Sequence, residues 1–268
     1  MVAVIVVAAL LAGAHAEIKE LSCMKTGNRD VSQCLFDGDN CNFVTDFANF
    51  ANEWVSHRDW EANPVPGPNA VFVVESDVAP ALDPSGALYM QVLQDRAGVQ
   101  GNGTILSTTR SLKYGVVEAT FKQSGVPGVV SSFILASNDL DEIDLEITGA
   151  DLYNVNSNWY YRGKELLNAQ GQNVNGYSYW TNDNNADVYH TYRIDWNAER
   201  IQWAINGVVF KTALANETTG YGFPSSPARI SFGVWQTPFT STWAGKGDPT
   251  TVPNPLPHVY FKSIKVSW

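Results

Sequence analysis

The chain has 268 residues, enough to bury a large core within one domain, and 44% of them are hydrophobic. Its formal net charge of −10 argues against nucleic acid or an anionic membrane as a partner. A neutral polymer is indifferent to that charge and stays open as a ligand.

The chain opens on an apolar run, MVAVIVVAALLAGAHA, that ends in the small-residue pattern Ala14-His15-Ala16. This pattern predicts a secretory signal peptide over residues 1–16, although the basic residues that usually precede the apolar run are missing. A membrane anchor is the alternative, but about 13 apolar residues are short for a span, which needs about 20. We therefore expect a secreted protein with no membrane span after signal removal.

Residues 17–45 carry all three cysteines, Cys23, Cys34 and Cys41. An oxidising compartment allows a disulfide among them, and their odd number leaves at least one thiol free or paired between chains. Cys23–Cys34 is the first choice, with little to separate it from the other two pairings, and Cys41 stays unassigned. Neither the spacing nor a neighbouring histidine supports a metal site, and we expect none.

Two N-glycosylation sequons begin at Asn102 and Asn216. Both agree with a secreted surface and predict glycosylation at these two asparagines. Because chance sequons are common, their support for secretion is modest.

Residues 46–268 form a succession of short stretches rich in β-branched and aromatic residues, such as GALYMQVLQ, YGVVEATFKQ, VVSSFILAS, HTYRIDW and ARISFGVWQ. RIQWAI and VVFKTA flank Asn206-Gly207, a strong hairpin signal. No stretch keeps a helical period over three turns, and no linker separates a second domain. The pattern predicts one all-β domain, a sandwich or a barrel.

The stretch DEIDLEITG, residues 141–149, places four carboxylates within six positions, although only 16% of the chain is charged. Apolar residues fall at every second position, so Glu142, Asp144 and Glu146 project from one face of a predicted strand. The Cα atoms of Glu142 and Glu146 would lie about 13 Å apart. Glutamate side chains leaning together reach the roughly 5–5.5 Å between carboxyls that a retaining glycosidase uses. The alternatives are an ordinary acidic strand or a cation site, although calcium ligands usually come from loops.

The row Glu-x-Asp-x-Glu, apolar at each x, resembles the catalytic strand of glycoside hydrolase family 16. The longer stretch YGVVEATFKQSGVPGVVSSFILASNDLDEIDLEITGAD resembles fungal cell-wall chitin–glucan transglycosylases of that family, above all in GVVSSF and LDEID. VNSNWY, HTYRIDW and FPSSPARISFGVW continue the resemblance in order, so that it covers about residues 46–268.

The resemblance implies a β-jelly-roll sandwich, concanavalin-like, whose concave face holds a polysaccharide groove. It makes Glu142 the nucleophile, Asp144 its helper and Glu146 the acid/base. It also implies transfer of a chitin fragment to a β-glucan or chitin acceptor in the cell wall, with no obligatory cofactor. We expect the protein to be a monomer.

This chain departs from the resembled enzymes at three places. Ile147 stands where an aromatic residue often follows the acid/base, and Asn156 replaces an expected glutamine. After Trp235, the stretch QTPFTSTWAGKG lacks the usual double glycine. The departures leave the catalytic interpretation unchanged and bear on the preference for a donor.

Nine tryptophans exceed what the core of an all-β protein requires. Because the apolar faces of sugars stack on aromatic rings, Trp235 and Trp243 are candidate platforms, aided by Tyr160; core packing is the alternative for each. Trp196 and Trp203 lie in alternating strands and are expected in the core.

Four polar residues are further candidates for binding substrate. Asn156 and Asn158 share a strand face, so one of them can face the groove. Arg229 and Thr240 match positions that lie near substrate in the resembled family, with ordinary surface roles as the alternative. Thr240 belongs to a long segment, residues 236–258, of the length that is usually functional or mobile.

Three functions compete. The first is a retaining transglycosylase acting on chitin and β-glucan, and the second is a β-glucanase that uses water as the acceptor. The third is a lectin-like module that binds polysaccharide without turnover, which the intact acid row disfavours. The first two share every catalytic residue, so the sequence does not separate them.

Overall fold

The computed structural model describes residues 35–36, 42–48, 50, 54–57, 71–218 and 220–268. The predicted signal peptide and the three cysteines, Cys23, Cys34 and Cys41, lie outside the described residues. Asn102 and Asn216 are both exposed, as glycosylation requires, and their glycosylation stays a prediction. In the described part of the chain, no helix is long and apolar enough to cross a membrane.

The described residues form sixteen strands. The first eight are β1 (Asn42–Thr45), β2 (Trp54–Ser56), β3 (Phe72–Val74), β4 (Ala81–Leu82), β5 (Leu88–Gln91), β6 (Thr104–Leu112), β7 (Gly115–Lys122) and β8 (Val129–Ser137). The others are β9 (Glu142–Thr148), β10 (Asn154–Tyr160), β11 (Tyr177–Trp180), β12 (His190–Trp196), β13 (Arg200–Ile205), β14 (Val208–Leu214), β15 (Ala228–Gln236) and β16 (His258–Ser267). Ala215–Glu217 form a single 3-10 turn.

The strands pair into two sheets that face each other across the core. The sheet we call the groove sheet has the order β11-β10-β9-β8-β15-β6-β3-β2. The other, which we call the outer sheet, has the order β14-β13-β12-β7-β16-β5-β4, with β1 paired to β16. The prediction of an all-β sandwich is confirmed, and β9, the acidic strand, lies between two long neighbours in the groove sheet.

The core consists of the side chains that alternate inward from both sheets. Ile143, Leu145 and Ile147 of β9 are buried, as the strand period predicts. Trp196 and Trp203 of the outer sheet are buried too, which confirms their expected place in the core. The indole N–H of Trp203 donates to the backbone oxygen of Asp144 at 2.8 Å. This hydrogen bond joins β9 to the outer sheet across the core.

The Asn206-Gly207 hairpin between β13 and β14 is confirmed. Asn206 and Gly207 have φ angles of 50° and 82°, the left-handed pair that a tight hairpin turn requires. The amide of Asn206 donates to Nδ1 of His190 at 2.9 Å, which leaves the proton of that ring on Nε2. His190 is buried, and this contact joins it to the hairpin turn.

Candidate active site

The three acids of β9 face one groove. Glu142, Asp144 and Glu146 line a cavity of about 810 Å³ on the outward face of the groove sheet. Asp144 is buried, whereas Glu142 and Glu146 are partly exposed. Alternation along a strand thus separates the acids in the groove from the apolar side chains in the core.

Burial raises the pKa of each of these carboxyl groups, and repulsion adds to the rise at Asp144 and Glu146. Burial raises the pKa of Glu146 to about 8, and the charge of Glu142 adds to the shift. Burial, followed by the charges of both glutamates, raises the pKa of Asp144 well above its usual value. Burial also raises the pKa of Glu142, but a hydrogen bond with Asp144 opposes that rise. Near neutral pH, a protonated Asp144 that donates to Glu142 leaves the negative charge on Glu142.

The neighbouring strand β10 places a polar side chain opposite each acid. Asn156 pairs with Glu146, Asn158 with Asp144 and Tyr160 with Glu142 in the register of the two strands. Both asparagines face the groove together with the tyrosine, whereas the sequence analysis expected one of them there.

Tyr160 is held as a hydrogen-bond donor toward the groove. The amide of Asn158 donates to its hydroxyl oxygen at 3.0 Å. Burial, together with the nearby acids, raises the pKa of the phenol, so its proton stays in place at every working pH. The hydroxyl can therefore donate to a ligand oxygen or to a carboxylate.

Trp235 and Trp243 form the aromatic wall of the groove. Both line the cavity, and their ring centroids lie 6.2 Å apart with an interplanar angle of 30°. Trp243 is 49% exposed, so it is not part of the core. Both rings therefore line the same cavity as the acids, and their role toward a sugar stays a prediction.

The segment that carries Trp243 is fixed to the start of β8 through Gly128. The amide of Gly128 donates to the oxygen of Ala244 at 2.7 Å, and its own oxygen accepts from the amide of Thr237 at 2.8 Å. Gly128 has a φ of 85°, and a Cβ atom there would lie 2.7 Å from the backbone of Gly247. Only glycine suits this position.

Arg229 and Thr240 lie away from the groove lining. Arg229 is 7% exposed, and its guanidinium forms an ion pair with Glu75 at 2.9 Å. The expected contact of Arg229 with substrate is therefore corrected, because this cation is held within the protein. Thr240 is exposed in the segment that follows β15, and its role stays a prediction.

Asp141, to which the sequence pattern assigns no role, anchors the start of the acidic strand β9. One carboxylate oxygen accepts from the amide of Arg162 at 3.0 Å. The other accepts from the amides of Ser225 and Ser226 at 2.8 and 3.0 Å. Asp141 thus ties two loops to the residue before Glu142. Its position directly before Glu142 was the feature of the sequence that could have identified it.

Several further residues line the groove from β11 and from the loops before β9 and β11, namely Leu140, Gly163, Glu165, Gly176, Tyr177 and Ser178. The sequence pattern did not mark them, because β11 is short and its pairing with β10 is not a local property. Among the described residues, no group of three or more His, Cys, Asp or Glu side chains is arranged to hold a metal ion.

A groove across one face of a β-sandwich, lined by carboxyl groups of raised pKa, suits the paired-carboxylate chemistry of glycoside hydrolases. The chain belongs to glycosyl hydrolases family 16, whose family model matches residues 76–252, more than half of the chain. That range contains all three acids of β9.

Relatives and solved structures agree with the family. Congo red hypersensitive protein 2 of Saccharomyces cerevisiae is 35% identical over 170 residues, which is 57% of this chain and 34% of that protein. A structure of Crh5 transglycosylase in complex with NAG is 26% identical, with a TM-score of 0.65, over 85% of this chain and 84% of that one. Bacillus licheniformis β-glucanase shares the fold at 18% identity and a TM-score of 0.65, over 85% and 98% of the two chains. This chain spans about a third of the length of the curated relatives it matches.

Proposed function

We propose that this protein is a retaining cell-wall transglycosylase. It cleaves a β-linked polysaccharide, with chitin as the donor, and transfers the fragment to a β-glucan or chitin acceptor outside the cell. The single observation that carries the proposal is the arrangement of Glu142, Asp144 and Glu146 in one groove, with the pKa of Glu146 raised to about 8. Two solved structures of one similar protein, named Crh5 transglycosylase, support transfer as the outcome.

In the first step, the carboxylate of Glu142 attacks the anomeric carbon of the donor. The glycosidic bond breaks, and protonated Glu146 gives its proton to the leaving oxygen. The donor fragment is then held as an ester on Glu142. Asp144 assists by its hydrogen bond, which keeps the charge on the nucleophile until the bond forms.

In the second step, Glu146 is a carboxylate and acts as the base. It takes the proton of an acceptor hydroxyl, whose oxygen attacks the anomeric carbon and displaces Glu142. Two inversions at one carbon leave its configuration unchanged. The products are the lengthened acceptor and the free enzyme in its starting protonation state.

The choice between transfer and hydrolysis depends on how the acceptor is held. Water is present at about 55 M, so a sugar hydroxyl competes only if binding gives it a large effective molarity. The segment 236–258 supplies such a hold, because its Trp243 stands exposed beside Trp235 at the edge of the groove. A β-glucanase with water as its acceptor is the alternative that shares every catalytic group.

The proposal is tested by incubating the protein with a chitin or β-glucan donor and a fluorescently labelled acceptor oligosaccharide. We expect labelled products longer than the acceptor, together with shortened donor. Shortened donor without any longer labelled product would establish a hydrolase, and donor that is bound but left unchanged would establish a binding module without turnover.

A further inference from the structure

An exposed pair of aromatic rings lies at the free edge of the groove sheet. The rings of Tyr153 and Trp180 are stacked, with centroids 5.1 Å apart and an interplanar angle of 12°. Trp180 is 59% exposed and Tyr153 is 38% exposed. The neighbouring ring of Tyr179 points the other way and stacks on Phe210 of the outer sheet at 4.8 Å. The fold therefore uses Tyr179 for packing and leaves the Trp180 ring to solvent.

The register of the groove sheet aligns Trp180 with the aromatic wall on the other side of the acids. Continuing the β9–β10 pairing by two residues, one row crosses the sheet through Trp235, Val130, Thr148, Asn154 and Trp180. On the groove face of the sheet, this row is next to the row of Glu146, two residues along each strand. Trp235 lies two strands to one side of β9 and Trp180 two strands to the other, about 10 Å away in each direction.

The backbone beneath this ring pair is fixed before any ligand binds. The amide of Tyr153 donates to the carboxylate of Asp151 at 3.2 Å. The backbone oxygen of Tyr153 accepts from both the amide and the hydroxyl of Thr181, at 2.6 and 2.8 Å. Thr181 is itself buried. A preorganised ring pair binds a ligand without a further ordering cost.

The size and charge of the surroundings indicate the kind of ligand. A stable protein interface buries at least about 1,200 Å², far more than two rings present. The net charge of −10 disfavours an anionic polymer. The apolar face of an uncharged sugar ring fits a single exposed aromatic platform that continues an existing groove.

We propose that Trp180, backed by Tyr153, is a distal sugar-binding platform for the polysaccharide strand that occupies the groove. It stacks against a pyranose ring at the end opposite to Trp235 and Trp243. This inference rests on the proposed function and assigns to the site an extra ring-binding position that only long substrates reach. Trp180 is a binding residue and takes no part in the bond-making steps.

The test measures binding by the full chain carrying Glu142→Gln, so that the ligand is not consumed. Dissociation constants are determined for the dimer and the hexamer of β-linked N-acetylglucosamine, and for the matching β-glucan oligomers. Trp180→Ala is expected to weaken binding of the hexamer about two- to tenfold, the scale of one ring-stacking contact, and to leave the dimer unchanged. Val208→Ala, which truncates another side chain that is 59% exposed but lies on the outer sheet, should change neither.

An unchanged hexamer affinity, or an equal loss for dimer and hexamer, would overturn the platform. If Trp180→Ala does not fold, Trp180→Leu keeps apolar area but removes the flat ring, and the same losses are expected. Failure of the Glu142→Gln parent to bind any oligomer would instead overturn the proposed function, and the platform with it.

Discussion

Among the described residues, the acids on the solvent face of the outer sheet are paired with cations, whereas the acids on the groove face of the groove sheet are not. On the outer sheet, Glu118 pairs across the strands with Lys265 on one side and Arg193 on the other. The Lys265 ammonium lies 3.5 Å from Glu118, and Arg193 forms a second ion pair, with Asp195, at 2.5 Å. Both of these acids therefore have a cation beside them.

The groove sheet instead aligns three carboxyl groups along β9. Within the described residues, no ion pair includes Glu142, Asp144 or Glu146. Burial raises the pKa of all three, and repulsion adds to the rise at Asp144 and Glu146, so ionising these groups costs stability. The same strand alternation thus gives a structural face where charges are compensated, and a reactive face where they are not.

The largest expected effect comes from removing either end of the acid row. Glu142→Gln removes the proposed nucleophile and Glu146→Gln the proposed proton donor, and loss of an acid/base group alone typically lowers the rate about 10²- to 10⁴-fold. Initial rates on a chitin or β-glucan donor measure the loss. The matched control is Glu118→Gln on the outer sheet, which should keep full activity. If either groove variant kept more than about a tenth of the wild-type activity, the roles proposed for Glu142 and Glu146 would be wrong.

The second prediction is the pH dependence of turnover. Glu142 must be ionised, and since its pKa is raised, the acid limb of the profile should lie above pH 4.5. Glu146 must be protonated in the first step, so activity should fall as pH rises through about 8. The ratio kcat/KM measured across this range reports both limbs. A rate that stays constant well above pH 8 would show that Glu146 is not the acid.

The third prediction concerns stability. The folded-state pKa of Glu146 is raised from 4.5 to about 8, so its protonated form is favoured in the fold. The stability it contributes is present below its unfolded pKa and is lost as pH rises through the folded pKa. Glu146→Gln should therefore gain stability relative to the wild type as the pH rises from about 5 to about 8, by up to about 1.4 kcal/mol for each pH unit.

Denaturant unfolding of both proteins at several pH values measures this difference. For Glu118→Gln, which removes a paired acid on the outer face, we expect no such gain with rising pH. Equal behaviour of the two variants would mean that the groove acids are solvated like those of the outer sheet.

The smallest expected effect concerns the choice of acceptor. Trp243→Ala should lower transfer to an added oligosaccharide more than it lowers donor cleavage, because the ring holds the acceptor and not the reacting atoms. Both rates are measured on the same donor. If the ratio of transfer to hydrolysis is unchanged, Trp243 acts on the donor side of the groove.

The features that could be predicted from the sequence rest on local patterns. Alternation of Ile143, Leu145 and Ile147 with the acids fixes both faces of β9 whatever its neighbours are. The Asn206-Gly207 turn likewise depends only on the backbone freedom of its own residues. The identity and order of the motifs from YGVVEATFKQ to FPSSPARISFGVW predicted membership of glycoside hydrolase family 16.

The features that could not be predicted depend on residues far apart in the chain. Glu75 precedes Arg229 by more than a hundred positions, and their ion pair keeps the Arg229 guanidinium within the protein instead of in the groove. The amides that hold Asp141 belong in part to a loop more than eighty positions later. Trp180 becomes part of the groove face only through the pairing of β11 with β10. No periodicity within a short window contains such information.

The central claim, a double displacement through Glu142 that ends in transfer, is tested most directly by the configuration of the first bond formed. The measurement is proton NMR of the anomeric signal during the first turnovers, with a β-linked donor and a labelled acceptor. We predict a new β-linkage to the acceptor, since two inversions restore the starting configuration. A first product of α-configuration would contradict the covalent intermediate on Glu142 and the roles assigned to the acid row.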